Sequence, residues 1–240
     1  KGMNVIAPTW FSMTDEYGAF RSFATADYVT TAHNMGLQVW GVLDNFNYAN
    51  ENGISISTLN MLSSTTARQT LVQNVTDTAV SLGLDGINVD FEQLSSDCGS
   101  HYVEFLRELS IQCRNKGLVL SVDNYVPFNF NDYYRLDIQG QVADYVIIMG
   151  YDEHWHGSKD PGSVASIGYV SDGLDRTLQE VPANKVVNAL PLYTILWKTE
   201  GTDVTDEYIT MRNEAEFMSR AGVTAEWDEE TCQNYAEWTS

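Results

Sequence analysis

Six short runs rich in β-branched and other apolar residues recur at intervals along the chain, and most of the gaps between them carry a segment with helical spacing. The runs cover residues 4–11, 37–45, 86–92, 118–125, 145–152 and 185–193. Between them, residues 25–34, 65–82, 101–116 and 166–179 place apolar side chains three and four apart, the spacing of one helix face. Strands joined by helices of that length cannot be hairpin partners. They pair in parallel, with the crossover helices packed outside the sheet. Gly36, Gly83 and Gly117 each stand between a helical segment and the next run, where a left-handed helix cap favours glycine. No Pro/Ser-rich linker, repeat or low-complexity block interrupts the pattern, so residues 1–240 read as a single domain. The stretch 202–240 departs from it: a helix is expected over 206–220, followed by an acidic, aromatic segment with Trp227, Tyr235 and Trp238.

Charge excludes several classes of partner. Thirty-three Asp and Glu face 13 Lys and Arg, and the formal net charge of -20 repels phosphate backbones and anionic lipid headgroups. Nucleic acid and membrane partners are not expected, whereas a neutral polymer such as a polysaccharide meets no such penalty. Cys98, Cys113 and Cys232 have no CxxC spacing, and an odd count allows at most one bridge, so they read as small buried hydrophobes. No apolar run approaches the ~18 residues of a membrane span, and no signal segment opens the chain. Because the chain starts at Lys1 and enters a strand-like run almost at once, an export signal or further domains are expected to precede it.

In parallel α/β folds, reactive groups gather at the carboxyl ends of strands. Here those ends read Trp10, then Asp44 and Asn45, then Asp90 and Glu92, then Asp123 and Asn124, then Tyr151 and Asp152, then Tyr193. The segment 84–92 is the most informative. Ile87, Val89 and Phe91 alternate with Asn88, Asp90 and Glu92, and strand period two puts the three polar groups on one face. With helices outside, that face points into the barrel interior, where carboxylates without a task are costly. Asp90 and Glu92 stand two residues apart, about 6.6 Å along a strand, close enough for one charge to raise the other's pKa. A carboxyl kept protonated near neutral pH can donate to a leaving-group oxygen, as general-acid cleavage of a glycosidic bond requires. A hydrogen-bonded polar knot is the structural alternative.

Asp85, Asp90 and Glu92 are spaced as in the strand-end signature of glycoside hydrolase family 18, which 84–92 resembles, with Asn88 where the family carries its middle Asp. That departure resembles the branch of spore cortex fragment-lytic enzymes and related bacterial wall hydrolases. Met149-Gly150-Tyr151-Asp152 is similar to another strand end of the family, and Glu153-His154-Trp155 continues it as in that branch. The runs at 8–11, 39–42, 121–125 and 190–193 also look like its strands.

The resemblance implies a (β/α)8 TIM barrel, incomplete at both ends in this chain, and a retaining hydrolase cleaving β-linked N-acetylglucosamine polymers, peptidoglycan or chitin-like. It implies that the substrate's own N-acetyl oxygen is the nucleophile, an exception to the two-carboxylate scheme. Glu92 would then protonate the glycosidic oxygen and later activate water, Asp90 would hold the acetamido N–H, and Tyr151 would donate to the acetamido oxygen. Asp85, Asn88, Asp152, Asn124 and Tyr193 would belong to the sugar site, and Trp10 or Trp197 would offer a platform for a pyranose face. For each Trp, core packing is the other reading. No metal and no cofactor is implied, although Asp152, Glu153, His154 and His156 also read as a possible metal set. Spore, cell-wall or extracellular localisation follows from the resemblance. A catalytically silent carbohydrate-binding relative is the alternative function, and retention of Glu92, Asp90 and Tyr151 weighs against it.

Overall fold

The computed structural model describes residues 2–46 and 55–239. The chain divides into two compact units, Lys1–Ile147 with Glu180–Val187, and Ile148–Gln179 with Asn188–Ser240.

The first unit is built on a parallel sheet. Its strands are β1 (Val5–Ile6), β2 (Thr9–Met13), β3 (Phe20–Ser22), β4 (Gln38–Asp44), β5 (Gly86–Asp90) and β6 (Val119–Tyr125). The opening residues of β7 (Tyr145–Met149) and β8 (Val186–Ala189) also belong to it. Among the described residues the hydrogen-bonded path runs β3-β2-β4-β5-β6-β7-β8, with β1 beside β4. The β2–β4, β4–β5 and β5–β6 pairs are parallel, as the helical crossovers require. The antiparallel hairpin partner β3 was not anticipated.

Five helices accompany these strands: α1 (Ala26–Asn34), α2 (Thr58–Ser63), α3 (Thr65–Leu82), α4 (Gly99–Lys116) and α5 (Leu136–Val142). Thr25, Ser57 and Ser64 cap the first three through side-chain oxygens that accept backbone N–H groups. Gly83 and Gly117 end α3 and α4 in the left-handed conformation, as expected from sequence. The core lies between sheet and helices. Phe11, Leu43, Ile87 and Val89 from the outer face of the strands, and Leu71, Val75, Phe105 and Leu109 from α3 and α4, are fully buried. Phe91 stacks on Phe105 with centroids 5.3 Å apart. Every such side chain contributes roughly 1.5–3 kcal/mol by leaving water.

The second unit contains the ends of β7 and β8, then α6 (Ile167–Thr177), β9 (Tyr193–Glu200), β10 (Asp203–Thr210), α7 (Glu214–Ala221), β11 (Glu226–Asp228) and β12 (Gln233–Tyr235). Two expectations are corrected here. The run 185–193 breaks after Ala189, because Pro191 has no N–H for a ladder, and a new strand begins at Tyr193. The helix expected over 206–220 starts only at Glu214. Residues 203–210 instead form the return strand of a hairpin with β9, in register from Asp203↔Glu200 to Thr210↔Tyr193. Val204, Thr205, Tyr208, Ile209 and Thr210 favour that extended state, and Gly201, at φ +64°, makes the tight turn.

Candidate active site

Strand register assembles the carboxylates of the first unit. β4 and β5 pair with Val42 beside Asn88 and Asp44 beside Asp90, and β5 and β6 pair with Asn88 beside Ser121. Period two then puts Asp44, Asn88, Asp90, Ser121, Asp123 and Tyr125 on one face, at and above the carboxyl ends of three adjacent strands. Ser12 Oγ donates to Asp44 Oδ2 at 3.0 Å. Asn88, 1% exposed, donates from Nδ2 to Ser121 Oγ at 2.9 Å and to Asp123 Oδ1 at 3.0 Å. Neither Asn88 Oδ1 nor Asp90 Oδ1, both shielded from solvent, finds a hydrogen-bond partner among the described residues. Burial, followed by the charges of Asp123, Glu92 and Asp44, pushes the Asp90 carboxyl up to about 7. Burial pushes Asp123 up to about 6 against the pull of the Asn88 hydrogen bond, and burial also raises Asp44.

Glu92 follows β5 and is fixed from two sides. Asn45 bonds its backbone twice, accepting from Glu92 N–H and donating to Glu92 C=O, each at 2.9 Å. Tyr125, on β6, donates its hydroxyl to Glu92 Oε2 at 2.6 Å, and burial together with that bond lifts the phenol above its usual range. Gln93 turns the chain in the left-handed region at φ +53°, an uncommon conformation for a residue with a Cβ. Beside this turn lies a cavity of about 410 Å³, lined by Asn45, Thr58, Glu92, Gln93, Ser95 and Cys98 among others.

In the second unit Gly150 lets the backbone press against β8: a Cβ there would meet Asn188 Oδ1 at 2.5 Å. Tyr151 follows, its ring edge-on to Tyr193 with centroids 6.2 Å apart, and Tyr193 is edge-on to Tyr208 at 5.2 Å. Asp152 adopts φ +60° and accepts the Tyr193 hydroxyl. The four residues that also read as a metal set each engage a different partner. Asp152 takes Tyr193, Glu153 accepts from Ser166 N and Oγ, His154 bonds the Asp160 carbonyl, and His156 bonds Asp206.

Three residues expected in the sugar site are held elsewhere. Asp85 precedes β5, about 16 Å along the strand from Asp90, and accepts Val39 N–H at 2.7 Å and His33 Nε2 at 2.8 Å, so it ties β4 and α1 to the sheet. Asn124 is on the helix-facing side of β6, where it and buried Gln139 exchange amide hydrogen bonds at 2.7 and 2.8 Å. Trp10 sits at the β2 bulge, part-buried, and packs edge-on at 5.0 Å against Tyr28 of α1, which is itself exposed. Trp197 donates its indole N–H to the Gly162 carbonyl at 2.9 Å, and its ring remains part-exposed. Sequence reasoning named Asp44, Asn45 and Asp123 as strand exits without assigning them a part. It overlooked Tyr125, although Ser121, Asp123 and Tyr125 recur with the same period two that singled out Glu92.

Parallel strands whose carboxyl ends carry a carboxylate cluster define an α/β protein of the enzyme type. The chain belongs to the glycosyl hydrolases family 18, whose family model matches residues 50–240. A Bacillus subtilis protein, YdhD, provisionally named a sporulation-specific glycosylase, is 33% identical over 144 residues, which cover 57% of this chain and 33% of that protein. Its crystal structure superposes with a TM-score of 0.88 at 24% identity, covering 100% of this chain and 81% of that one. The cortical fragment-lytic enzyme of Bacillus anthracis is 30% identical over 148 residues, 58% of this chain and 33% of that enzyme. A chitinase structure from Chromobacterium violaceum gives a TM-score of 0.79 at 26% identity, covering 95% and 72% of the two chains. The matched region is thus about a third of the length of these curated relatives.

Proposed function

We propose that this chain is a retaining glycoside hydrolase that cleaves β-linked N-acetylglucosamine polymers by substrate-assisted catalysis, with Glu92 as general acid and then base. The observation that carries the reading is the pairing of Glu92, anchored by Tyr125 and Asn45, with Asp90, whose Oδ1 is buried and without a partner one strand repeat away. Glu92 protonates the glycosidic oxygen while the substrate's acetamido oxygen attacks the anomeric carbon. Water activated by Glu92 then opens the resulting ring, which retains the configuration. Asp90 accepts the acetamido N–H, and Asn88 shapes the floor beneath it. Tyr151 donates to the acetamido oxygen, and Asp152, Tyr193 and Trp197 contact sugar hydroxyls or a pyranose face.

Peptidoglycan is the favoured polymer and the spore or cell wall the favoured location, because a matched relative is named a cortical fragment-lytic enzyme and the resemblance carried by Asn88 implies the same branch. Among the described residues, no helix is long and apolar enough to cross a membrane.

The test is release of reporter from a chromogenic N-acetylglucosamine oligomer, and of reducing ends from peptidoglycan and from chitin, by this chain and by Glu92→Gln. Activity that the variant loses by at least 100-fold is expected, the scale of a general-acid contribution. Sugar binding without turnover in both proteins would favour a silent binding relative.

A further inference from the structure

The geometry points to Asp123 as a positioning residue for this reaction: from β6 it faces Asp90 on β5, held by the Asn88 amide, and acts as the second carboxyl of a coupled pair. The inference rests on the reading of Asp90 as the acceptor of the acetamido N–H and assigns Asp90 a partner that the reading does not contain.

Three observations carry it. The β5–β6 register pairs Asn88 with Ser121 and Val89 with Val122, so the next step along both strands brings Asp90 beside Asp123, with neighbouring strands about 4.8 Å apart. The Asn88 side chain is all but inaccessible, and its Nδ2 spans from Ser121 to Asp123. An amide N–H stabilises a carboxylate, so this bond keeps the negative charge on Asp123. Among the described residues, Asp90 Oδ1 has no such donor. Two carboxyls this close and this shielded do not both ionise readily. With Asp90 pushed up to about 7 and Asp123 to about 6, the last proton that the pair keeps as pH rises lies more often on Asp90 than on Asp123.

The consequence concerns basicity. The charge on Asp123 makes Asp90 a stronger base than an isolated carboxylate, and a stronger base polarises the acetamido N–H more as positive charge develops on that group. When the N–H docks, Asp90 releases its proton to solvent, and the charge kept on Asp123 by the Asn88 amide holds Asp90 basic. The other titratable groups around the pair within the first unit are Asp44 from β4, Glu92 after β5, Tyr125 from β6 and Tyr102 from α4, with Tyr145 of β7 lower on the sheet against Trp40. The Arg21 charge pulls the Asp44 carboxyl down, against the burial that raises it.

The experiment combines a pH profile with a titration that needs no turnover. In Asp123→Asn, kcat falls about tenfold with KM little changed, and the acidic limb of the kcat profile moves about one unit lower, because Asp90 ionises more easily without a neighbouring charge. Adding Asn88→Asp to that variant returns a carboxyl to the same strand face and moves the limb back up. A limb that stays in place, or a loss confined to KM, overturns the proposal. Carboxyl ¹³C NMR of the whole chain reads Asp90 itself: a two-step titration in the parent and a single, lower step in Asp123→Asn are expected. A single Asp90 step in the parent overturns the pair even if the variant does not fold. If the parent is inactive but the two-step titration is present, the hydrolase reading fails while the coupled pair stands.

Discussion

The Tyr125 hydroxyl donates to Glu92 Oε2 at 2.6 Å and accepts the Gln93 N–H at 3.3 Å, so one phenol on β6 holds both the acid and the left-handed turn that follows it. A hydrogen bond to a carboxylate contributes about 1.5–3 kcal/mol, and here it also selects one orientation of the side chain. Tyr125→Phe keeps the ring and its edge-on packing on Tyr134. It is expected to lower kcat/KM roughly tenfold while costing about 1 kcal/mol of stability or less. Steady-state kinetics beside urea unfolding separate the two effects. Unchanged kinetics would mean that Glu92 does not depend on this donor.

Asp90 makes stability depend on pH in an unusual direction. Its carboxyl titrates near 3.9 in an unfolded chain and near 7 here, so the folded state binds the proton more tightly. Between those values the native protein carries more protons than the unfolded one, and stability falls as pH rises. It is fully present below about pH 4 and has lost Asp90's contribution above about pH 7, and Asp123 adds a smaller loss over pH 4 to 6. At about 1.4 kcal/mol per unit, the Asp90 contribution is on the order of a few kcal/mol. Asp90→Asn is therefore expected to melt higher than the parent at pH 8 and to lose that advantage by pH 4, with catalysis abolished at both. Thermal unfolding at the two pH values checks this, and an advantage of equal size at both would contradict it.

Asn124 and Asp85 are expected to behave as structural residues. Asn124→Ala leaves the buried Gln139 Oε1 without its donor, while Gln139 Nε2 keeps the Tyr134 carbonyl, and costs about 1–3 kcal/mol. Asp85→Ala removes the acceptor of Val39 N–H and of His33 and costs a similar amount. In both, kcat and KM of the folded fraction should match the parent. A KM rise in either, measured well below the melting temperature, would return that residue to the sugar site.

These two residues also mark where the sequence could be read and where it could not. Periodicity located α1, α3, α4 and α6 almost to the residue, since each pairs an apolar face with a Ser or Thr cap or a terminal glycine. Strand period two put Asn88 and Asp90 on a common face, and the register with β4 and β6 bears that out. A motif, however, does not say which end of a strand a residue occupies in space. Asp85 belongs to the same short signature as Glu92 and lies at the other end of β5. Asn124 is one residue from Asp123, and one step along a strand reverses the face. The β9–β10 hairpin was missed for another reason: its alternating residues are only partly buried, so Asp206 and Tyr208 gave no clear apolar stripe, and the charged stretch passed for a helix.

Asp152 offers a separable test of backbone and side chain in the second unit. Its φ of +60° is tolerated by Asp, Asn and Gly and costs other residues about 1–2 kcal/mol, while its carboxylate takes the Tyr193 hydroxyl. Tyr193→Phe removes the hydrogen bond alone. Asp152→Gly removes the hydrogen bond and suits the left-handed backbone, whereas Asp152→Ala removes the bond and imposes the backbone penalty as well. Stability measured by denaturant unfolding is thus expected to rank Asp152→Ala below Asp152→Gly by about 1 kcal/mol, with Tyr193→Phe near the Gly variant. Equal stability of the Ala and Gly variants would mean that the chain leaves the left-handed conformation in solution. If Asp152 contacts sugar, all three variants also raise KM, and Tyr193→Phe does so least because it leaves the carboxylate in place.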